Sequence, residues 1–238
     1  MLTIFSENIK LSYSVIGVTK LLHRLGFSYK KPKVVPGKGD KLKQAEFLSK
    51  YNEIKKNLKT CDQIYFVDST HPEHNTKPSY GWILKGKTHD KIIKTNSGRE
   101  RLNLAGAMSL NNKNVVVLSE KTINKFVTIK LLRKLEKNQP TGKIYLILDN
   151  ASYYHAKLVT NYVKRKRRIK LIFLPSYSPN LNIIERLWRF FHQKVTYNHY
   201  FETFKEFEKE TLRFFKNIKK YKPKLDTLLT DNFQLLPT

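Results

Sequence analysis

The amino-acid sequence predicts an α/β fold in which a mixed β-sheet is flanked by helices. In the first half of the chain, β-prone runs follow one another on short connections, which is typical of antiparallel strands. In the second half, such runs alternate with helical stretches, which is typical of parallel strands joined by crossover helices. With 238 residues, of which 40% are hydrophobic, the chain is long enough to bury a core.

The first 60 residues are predicted to hold two helices on either side of a basic linker. Apolar residues at helical spacing predict a helix over residues 13–25 that ends at Gly26. Residues 27–40 combine prolines and glycines with lysines, which indicates a linker. A second helix is expected over residues 41–58.

Four β-prone runs lie between residues 60 and 120. Ile64–Val67 is continuous and apolar, and further strands are expected over residues 80–84 and 102–110. Residues 115–118 form either a fourth strand or the second arm of a hairpin with the strand before them.

After residue 120, helices alternate with strands. The expected elements are a helix over 121–137, a strand over 144–148, a helix over 155–167 that turns Leu158 inward, a strand over 170–174, a helix from about Asn182, and a C-terminal helix over 202–220. This alternation completes the mixed sheet with helices on its faces.

The charge balance points to a polyanionic partner. Lysine and arginine number 46 against 19 acidic residues, a formal net charge of +27. No apolar run reaches the roughly 18–20 residues that a bilayer-spanning helix needs, and the first ten residues lack a signal-peptide pattern. A single cysteine, Cys61, excludes cysteine zinc clusters. We therefore expect a cytoplasmic, nucleoid-associated protein with DNA as its partner and no membrane association.

Three lysine-rich stretches carry much of the charge: residues 30–43, 164–170 and 216–224. Any one of them alone is as well explained as a solvated surface. Together, on a basic background, they favour a phosphate-binding surface. The residues predicted to contact DNA are Lys30, Lys31, Lys33, Lys164, Arg165, Lys166, Arg167, Arg168 and Lys170.

Acidic residues are scarce where the basic ones are dense. Between Lys137 and Tyr200 there are 12 basic residues and two acids, Asp149 and Glu185. Asp149 ends the apolar run over residues 144–148, as Asp68 ends the run at 64–67. The ends of strands in an open α/β sheet border the crevice where ligands bind. The alternative is that either aspartate only starts a turn or caps a helix.

Glu185 is the third candidate carboxylate. If Asn182 is the N-cap of its helix, Glu185 stands at the N3 position of a capping box, which is the structural alternative for this residue. Glu185 also lies beside the apolar stripe of that helix, so its side chain is expected to point along the sheet edge. Three converging carboxylates suit Mg²⁺ or Mn²⁺, and two such ions can activate a nucleophile and stabilise the leaving oxygen of a phosphodiester.

Five segments together resemble successive motifs of DDE-type transposases, most closely those of the mariner-related insertion-sequence group. They are residues 64–70 (IYFVDST), 80–82 (YGW), 101–108 (RLNLAGAM), 146–155 (LILDNASYYH) and 173–188 (FLPSYSPNLNIIERLW). The resemblance covers about residues 63–198, and Leu-Pro-x-Tyr-Ser-Pro-x-Leu-Asn-x-x-Glu is its most specific part. It implies a ribonuclease H-like catalytic domain.

By position, the resemblance implies that Asp68, Asp149 and Glu185 are the catalytic and metal-binding residues, holding two Mg²⁺ or Mn²⁺ ions. Thirty-five residues separate the last two, close to the usual spacing of the group. Four neighbours match the pattern as residues that support the carboxylates or contact DNA, although a plain structural role explains each of them as well: Asn150, His155, Tyr177 and Ser178.

The resemblance also predicts the domain organisation. Residues 13–32 (YSVIGVTKLLHRLGFSYKKP) resemble the last part of a helix-turn-helix region, with room for little more than one helix. We therefore expect a partial helix-turn-helix remnant and basic linker over residues 1–40, the catalytic domain over 41–200, and a C-terminal helix with a basic tail over 201–238. The chain would then be the downstream portion of a longer protein. A simple packing helix is the alternative for the N-terminal segment.

The implied activity is transposition. The protein would hydrolyse DNA at the terminal repeats of an element and join the exposed 3′-hydroxyl to target DNA, acting as a homodimer. Ser69, Asn180 and Ile183 depart from residues common in relatives, which motivates a second hypothesis of an inactive remnant that binds DNA non-specifically. A general nuclease of the same fold is a third.

Overall fold

The computed structural model describes residues 14–29, 39–81, 83 and 91–233. Two compact units divide the chain, Met1–Val35 and Pro36–Thr238. The boundaries predicted at residues 40 and 200 stay a prediction. Within the described ranges, no helix combines the length and the apolar character that crossing a bilayer requires.

The described part of the first unit is one helix, α1 (Val15–Arg24). Ser14 caps its start, because the Ser14 hydroxyl accepts a hydrogen bond from Gly17 N at 3.1 Å. Gly26 follows its end with φ of +82°, and Phe27 N donates to Leu22 O at 2.9 Å, the pattern of a glycine-terminated helix. The helix predicted over residues 13–25 is therefore confirmed, whereas Lys30, Lys31 and Lys33 lie outside the described residues.

The second unit is built on a five-stranded mixed sheet. After helix α2 (Lys41–Lys56) come strands β1 (Gln63–Thr70), β2 (Asn103–Ser109) and β3 (Val115–Glu120), which form an antiparallel meander. Helix α3 (Lys125–Asn138), β4 (Ile144–Leu148), helix α4 (Lys157–Arg165) and β5 (Ile169–Phe173) follow. The strand order is β3-β2-β1-β4-β5, with β4 parallel to both β1 and β5. The predicted mixed sheet is confirmed, and residues 115–118 are both a strand and a hairpin arm.

The strand predicted over residues 80–84 is not found where the structure describes it. Tyr80, Gly81 and Ile83 belong to no strand, and Trp82 and Leu84 lie outside the described residues. Tyr80 is fully exposed, so its β-prone side chain has no sheet face to pack on.

Helices cover both faces of the sheet, because alternate residues of its strands point to opposite sides. Tyr65 and Val67 of β1 pack on the face that α3 and α4 cover. Ile64 and Phe66 pack on the other face, with α2 and the C-terminal helices. Helix α4 is shorter than predicted, since a separate 3₁₀ turn over Ser152–Tyr154 precedes it. Leu158, expected to point inward, is 44% exposed.

The last third of the chain differs from the prediction in its helix boundaries. A 3₁₀ turn (Pro179–Leu181) precedes helix α5 (Ile184–Phe191), and a π-helical turn (His192–Thr196) follows it. The predicted C-terminal helix ends at Lys216 as α6 (Phe204–Lys216). A 3₁₀ turn (Ile218–Tyr221) and a further helix, α7 (Lys222–Leu228), come after it.

The capping box, which the sequence leaves open as the alternative role of Glu185, is not formed at the start of α5. Ile183 is the N-cap residue and makes no side-chain cap hydrogen bond. Asn182 instead donates from Nδ2 to Val67 O at 3.2 Å, which joins the start of α5 to β1. Glu185 therefore has no capping role.

Gly106 lets the helical layer approach the sheet closely. It pairs with Asp68 across β1 and β2, and the indole of Trp188 on α5 lies against it. A Cβ added at Gly106 would lie 2.7 Å from Trp188 Cζ2, well inside van der Waals contact.

We expect Gly106→Ala to lower the free energy of unfolding by about 1–3 kcal/mol, because the added methyl overpacks the contact with Trp188. Urea titration measures the decrease. Gly98→Ala is the matched control, since its nearest contact, Glu100 N, would lie at an ordinary 3.9 Å. Equal midpoints for the two variants would contradict this account.

His192 makes stability depend on pH. Burial, assisted by the positive charge of Lys77, lowers its pKa from 6.5 to about 4. Between these two values the unfolded chain binds a proton that the folded chain excludes, so this residue makes stability fall as pH falls.

We expect His192→Asn to lose less stability than the wild type between pH 7 and pH 5, measured by thermal unfolding. Asparagine retains a polar group for the hydrogen bond that joins His192 Nδ1 to Thr196 Oγ1 at 2.9 Å. His199→Asn controls for removal of an exposed imidazole. If the His192 variant shows the full wild-type decrease, the buried neutral histidine is not the cause.

Candidate functional site

The sheet topology brings the two candidate aspartates side by side. Strands β1 and β4 are parallel neighbours, and Phe66 pairs with Ile147. Asp68 and Asp149 each lie two residues beyond that pair. Neighbouring strands are about 4.8 Å apart, so both side chains reach the same edge of the sheet.

Glu185 joins the aspartates from the first turn of α5. All three carboxylates line one open pocket of about 370 Å³. The loop of residues 174–179 forms the other wall, and Asn150 and Asn182 also line the pocket. The structure therefore brings together the three acids that the sequence singled out.

Asp68 is the most perturbed of the three carboxylates. Burial raises its pKa to about 7, and the negative charges of Glu185 and Asp149 add to the rise. Two donors oppose it, the backbone N–H of Ser69 and the indole of Trp188. Trp188 Nε1 donates to Asp68 Oδ2 at 3.1 Å, which orients the carboxylate.

Glu185 is exposed, and its side chain lines the open pocket. Partial desolvation there raises its pKa, and the charge of Asp149 acts in the same direction. The positive charge of Arg189, one turn along α5, and a hydrogen bond with the Asp68 carboxyl act against the rise. Asp68 and Glu185 are thus close enough to share a proton.

Asp149 combines the turn role and the pocket position. Its Oδ1 accepts a hydrogen bond from Ala151 N at 3.1 Å, which is an Asx turn. The carboxylate is half-buried and lines the pocket. Asp149 therefore does start a turn, as the structural alternative predicts. Its side chain nevertheless lines the pocket.

Among the residues that the structure describes, no three His, Cys, Asp or Glu side chains are arranged as a ready-made metal site. The donor chemistry nevertheless suits Mg²⁺ or Mn²⁺, because the pocket offers carboxylate oxygens in close mutual repulsion. An ion would relieve that repulsion, and the carboxylates would have to close around it. Asp68, Asp149 and Glu185 are the residues able to do so.

The four neighbouring residues predicted for the site have different surroundings. Asn150 lines the pocket, but its Nδ2 donates to Leu174 O at 2.7 Å. Tyr177 is 58% exposed at the pocket mouth, with φ of +56°. Ser178 is buried, and its hydroxyl is bonded within the protein. His155 lies outside the pocket lining, stacked on Phe173 with 4.2 Å between ring centroids.

The basic cluster at residues 164–170 does not border the carboxylates. Ile144 pairs with Ile169 at the start of β4 and β5, and Leu148 pairs with Phe173 at their ends. Residues 164–167 precede β5, so they lie at the opposite edge of the sheet, roughly 15 Å along the strands from Asp149. Lys164, Arg165, Lys166, Arg167 and Lys170 are exposed there.

Arg168 has a structural role. It is half-buried, and its guanidinium donates to Gly142 O and Glu136 O, both at 3.1 Å, and to Gln139 O. These bonds join the start of β5 to the last turn of α3 and to the segment after it. Arg168 is therefore not available for a phosphate in the way its exposed neighbours are.

Sequence reasoning missed two side chains that shape the site, Trp188 and Gln44. The apolar stripe of α5 predicts Trp188 as core, and nothing in it indicates the contact with Asp68. Gln44 is 1% exposed and contacts Ser178. A signal for Gln44 existed, because it shares the buried stripe of α2 with Phe47 and Tyr51.

Comparison with known proteins identifies the family of this chain. The family model described as DDE superfamily endonuclease matches residues 63–208, and the model described as winged helix-turn helix matches residues 5–51. The chain belongs to the DDE superfamily endonucleases. The resemblance drawn from the motifs is thereby confirmed.

A Shigella sonnei protein described as an insertion element IS630 uncharacterized 39 kDa protein is 29% identical over 150 residues. That match covers 61% of this chain and 43% of the relative, so the chain spans less than half the length of the curated relative it matches.

Solved structures show the same fold. A pre-cleavage Mos1 transpososome has a TM-score of 0.67 at 14% identity, covering 99% of this chain and 75% of that one. The Mos1 strand transfer complex has a TM-score of 0.66 at 15% identity, covering 98% and 73%. The predicted ribonuclease H-like fold is confirmed.

Proposed function

We propose that this chain is a transposase that cleaves DNA at the ends of an insertion element and joins them to target DNA. The observation that carries the proposal is the meeting of Asp68, Asp149 and Glu185 in one pocket at the edge of the sheet. Membership of the DDE superfamily endonucleases supports the reaction class, and the likeness to an insertion element protein supports the biological setting.

The three carboxylates would hold two Mg²⁺ or Mn²⁺ ions, which supply Lewis-acid activation of the attacking oxygen and stabilisation of the leaving one. The chain's own residues prepare the pocket. Trp188 holds Asp68 in one orientation, the Ala151 N–H holds Asp149, and α5 carries Glu185. The loop of residues 174–179 forms part of the wall of the same pocket.

DNA is the proposed partner, both as terminal repeats and as target. The winged helix-turn-helix match at residues 5–51 supports binding of element ends. Joining two ends requires two active sites, so we propose a homodimer on DNA, in a cytoplasmic, nucleoid-associated setting. The related structures include a Mos1 paired-end complex with a left transposon end, which is a precedent for such an assembly.

We expect Asp149→Asn to lower Mn²⁺-dependent nicking of a terminal-repeat duplex by about 100-fold or more, because it removes charge from the pocket where charge stabilisation is the main catalytic effect. Gel analysis of end-labelled duplex measures the rate. Asp226→Asn is the control, since Asp226 is exposed and paired with Lys222 at 2.7 Å outside the pocket.

The other possible results of this assay distinguish the transposase from the alternative functions. Equal nicking by wild type and the Asp149 variant would refute the assignment of the carboxylates. Equal cleavage of random and terminal-repeat duplexes would favour a general nuclease. Salt-sensitive DNA binding without any triad-dependent cleavage would favour the inactive remnant.

The exposed basic residues at the far edge of the sheet are proposed to bind DNA phosphates away from the cleavage site. We expect the triple change of Lys164, Arg165 and Arg167 to Gln to weaken binding of a long duplex. It should also reduce the slope of log K against log salt by about 0.9 for each phosphate that the variant no longer neutralises. Fluorescence anisotropy at salt concentrations between about 50 and 200 mM measures both quantities.

The control for net charge is a triple change to Gln at three scattered, exposed lysines, Lys50, Lys137 and Lys205. If the Lys50, Lys137 and Lys205 variant reduces the salt slope as much as the Lys164, Arg165 and Arg167 variant does, the basic cluster is not a specific DNA-binding site and contributes only through net charge.

A further inference from the structure

A buried polar link joins helix α2 to the loop beside the carboxylate pocket. Gln44 on α2 donates from Nε2 to Ser178 Oγ at 2.9 Å, and Asn180 donates from Nδ2 to Gln44 Oε1 at 3.2 Å. Gln44 and Ser178 are 1% and 4% exposed. Both halves of the Gln44 amide therefore bond to the same loop.

Burial of the Gln44 amide costs free energy, and filling space in the core does not require an amide at this position. Removing an amide from water is unfavourable unless the amide is hydrogen-bonded, and an apolar side chain would fill the same place without that cost. Phe47 and Tyr51, the other buried members of the α2 stripe, illustrate the apolar solution. The amide at position 44 instead specifies one arrangement of the loop.

The loop needs such support, because its backbone is strained and it leads into the site. Tyr177 has φ of +56°, a left-handed conformation that is unfavourable for a bulky residue. Ser178 Oγ also donates to Ser176 O at 3.3 Å, on the other side of Tyr177. The hydroxyl that Gln44 holds therefore closes the turn around the strained residue.

The same loop sets the start of the helix that carries Glu185. Leu181 N donates to Ser178 O at 3.1 Å, Asn182 N to Pro179 O at 3.0 Å, and Glu185 N to Asn182 O at 3.2 Å. A continuous run of bonds thus leads from Gln44 to Glu185. Displacement of Ser178 would be passed along this run.

We propose that Gln44 is a positioning residue, through which docking of α2 sets the geometry of the pocket loop and of Glu185. Helix α2 lies mostly within the region matched by the winged helix-turn-helix model. The pocket geometry is therefore tied to a helix continuous in sequence with the predicted DNA-binding segment. The catalytic arm of the test rests on the proposed function, whereas the structural arm does not.

The test compares Gln44→Met with Tyr51→Phe. Methionine has an unbranched side chain of similar length to glutamine and removes both hydrogen bonds. Tyr51→Phe is the matched control on the same helix, because the Tyr51 hydroxyl, 3.3 Å from Asp231 Oδ2, bonds to the C-terminal segment instead of the pocket loop. Both variants remove polar interactions of α2 with other parts of the fold, but only Gln44→Met removes those that reach the pocket loop.

The structural readout is amide hydrogen exchange of Leu181 and Asn182 in the full chain without DNA. We expect Gln44→Met to speed their exchange by about tenfold or more, and Tyr51→Phe to leave it within about twofold, because local opening reports local stability. Ser178→Ala should reproduce the Gln44→Met effect, and the double variant should add little to either single one. Unchanged exchange in Gln44→Met, or equal acceleration in Tyr51→Phe, overturns the proposal.

The catalytic readout is the rate constant of Mn²⁺-dependent nicking at saturating terminal-repeat duplex. Gln44→Met is expected to lower it by about 10- to 100-fold, because small misplacement of a catalytic group is costly. The dissociation constant for DNA should change less than about twofold, since no phosphate-binding group is removed. Nicking at the wild-type rate by Gln44→Met also overturns the proposal. If the wild type itself does not nick, the proposed function fails, and the exchange measurement still decides whether Gln44 holds the loop.

Discussion

The hydrogen bond from Trp188 to Asp68 joins the packing of this protein to its chemistry. The indole can reach the carboxylate only because Gly106, on the neighbouring strand, leaves room for the ring against the sheet. That contact seats α5 on β1 and β2, and α5 carries Glu185. The distance between the Asp68 and Glu185 carboxylates therefore depends on how the Trp188 indole packs against Gly106 and on its hydrogen bond to Asp68. The indole N–H and the backbone N–H of Ser69 both favour the charged form of Asp68 and oppose the effect of burial on its pKa.

Electrostatics sets the pocket apart from the rest of the molecule. The chain carries a net charge of +27, yet the pocket concentrates three carboxylates whose mutual repulsion and desolvation raise the pKa values of Asp68 and Glu185. A site of this kind gains most from a cation, which neutralises the carboxylates and allows a polyanion to approach. In the proposed function, the surrounding positive charge would attract DNA, and the edge of the sheet would determine where its backbone meets the acids. The two charge patterns are complementary parts of one proposed function.

Particular residues show how far the sequence predicts such a site. The positions of Asp68 and Asp149 follow from local pattern, because each ends a buried apolar run and parallel strands end at a common edge. Asn182 shows the limit of local reasoning, since its position suggested a helix cap, while its side chain bonds to Val67 on β1. The basic stretch at residues 164–170 is predicted, together with two other stretches, to form a phosphate-binding surface. The fold places it at the edge opposite the acids and uses Arg168 to hold backbone carbonyls. The separate roles predicted for Asn150, His155, Tyr177 and Ser178 stay predictions.

The sequence by itself determined the class of fold, the order of most elements and the three carboxylates, because hydrophobic periodicity and strand ends are properties of short segments. Only the tertiary structure decided what holds those carboxylates in place. Trp188 lies 120 residues from Asp68 in the chain, and Gln44 lies 134 residues from Ser178. Contacts over such separations depend on how layers of the fold pack, and a single polar side chain on an apolar stripe does not reveal its partner until the other layer is in place.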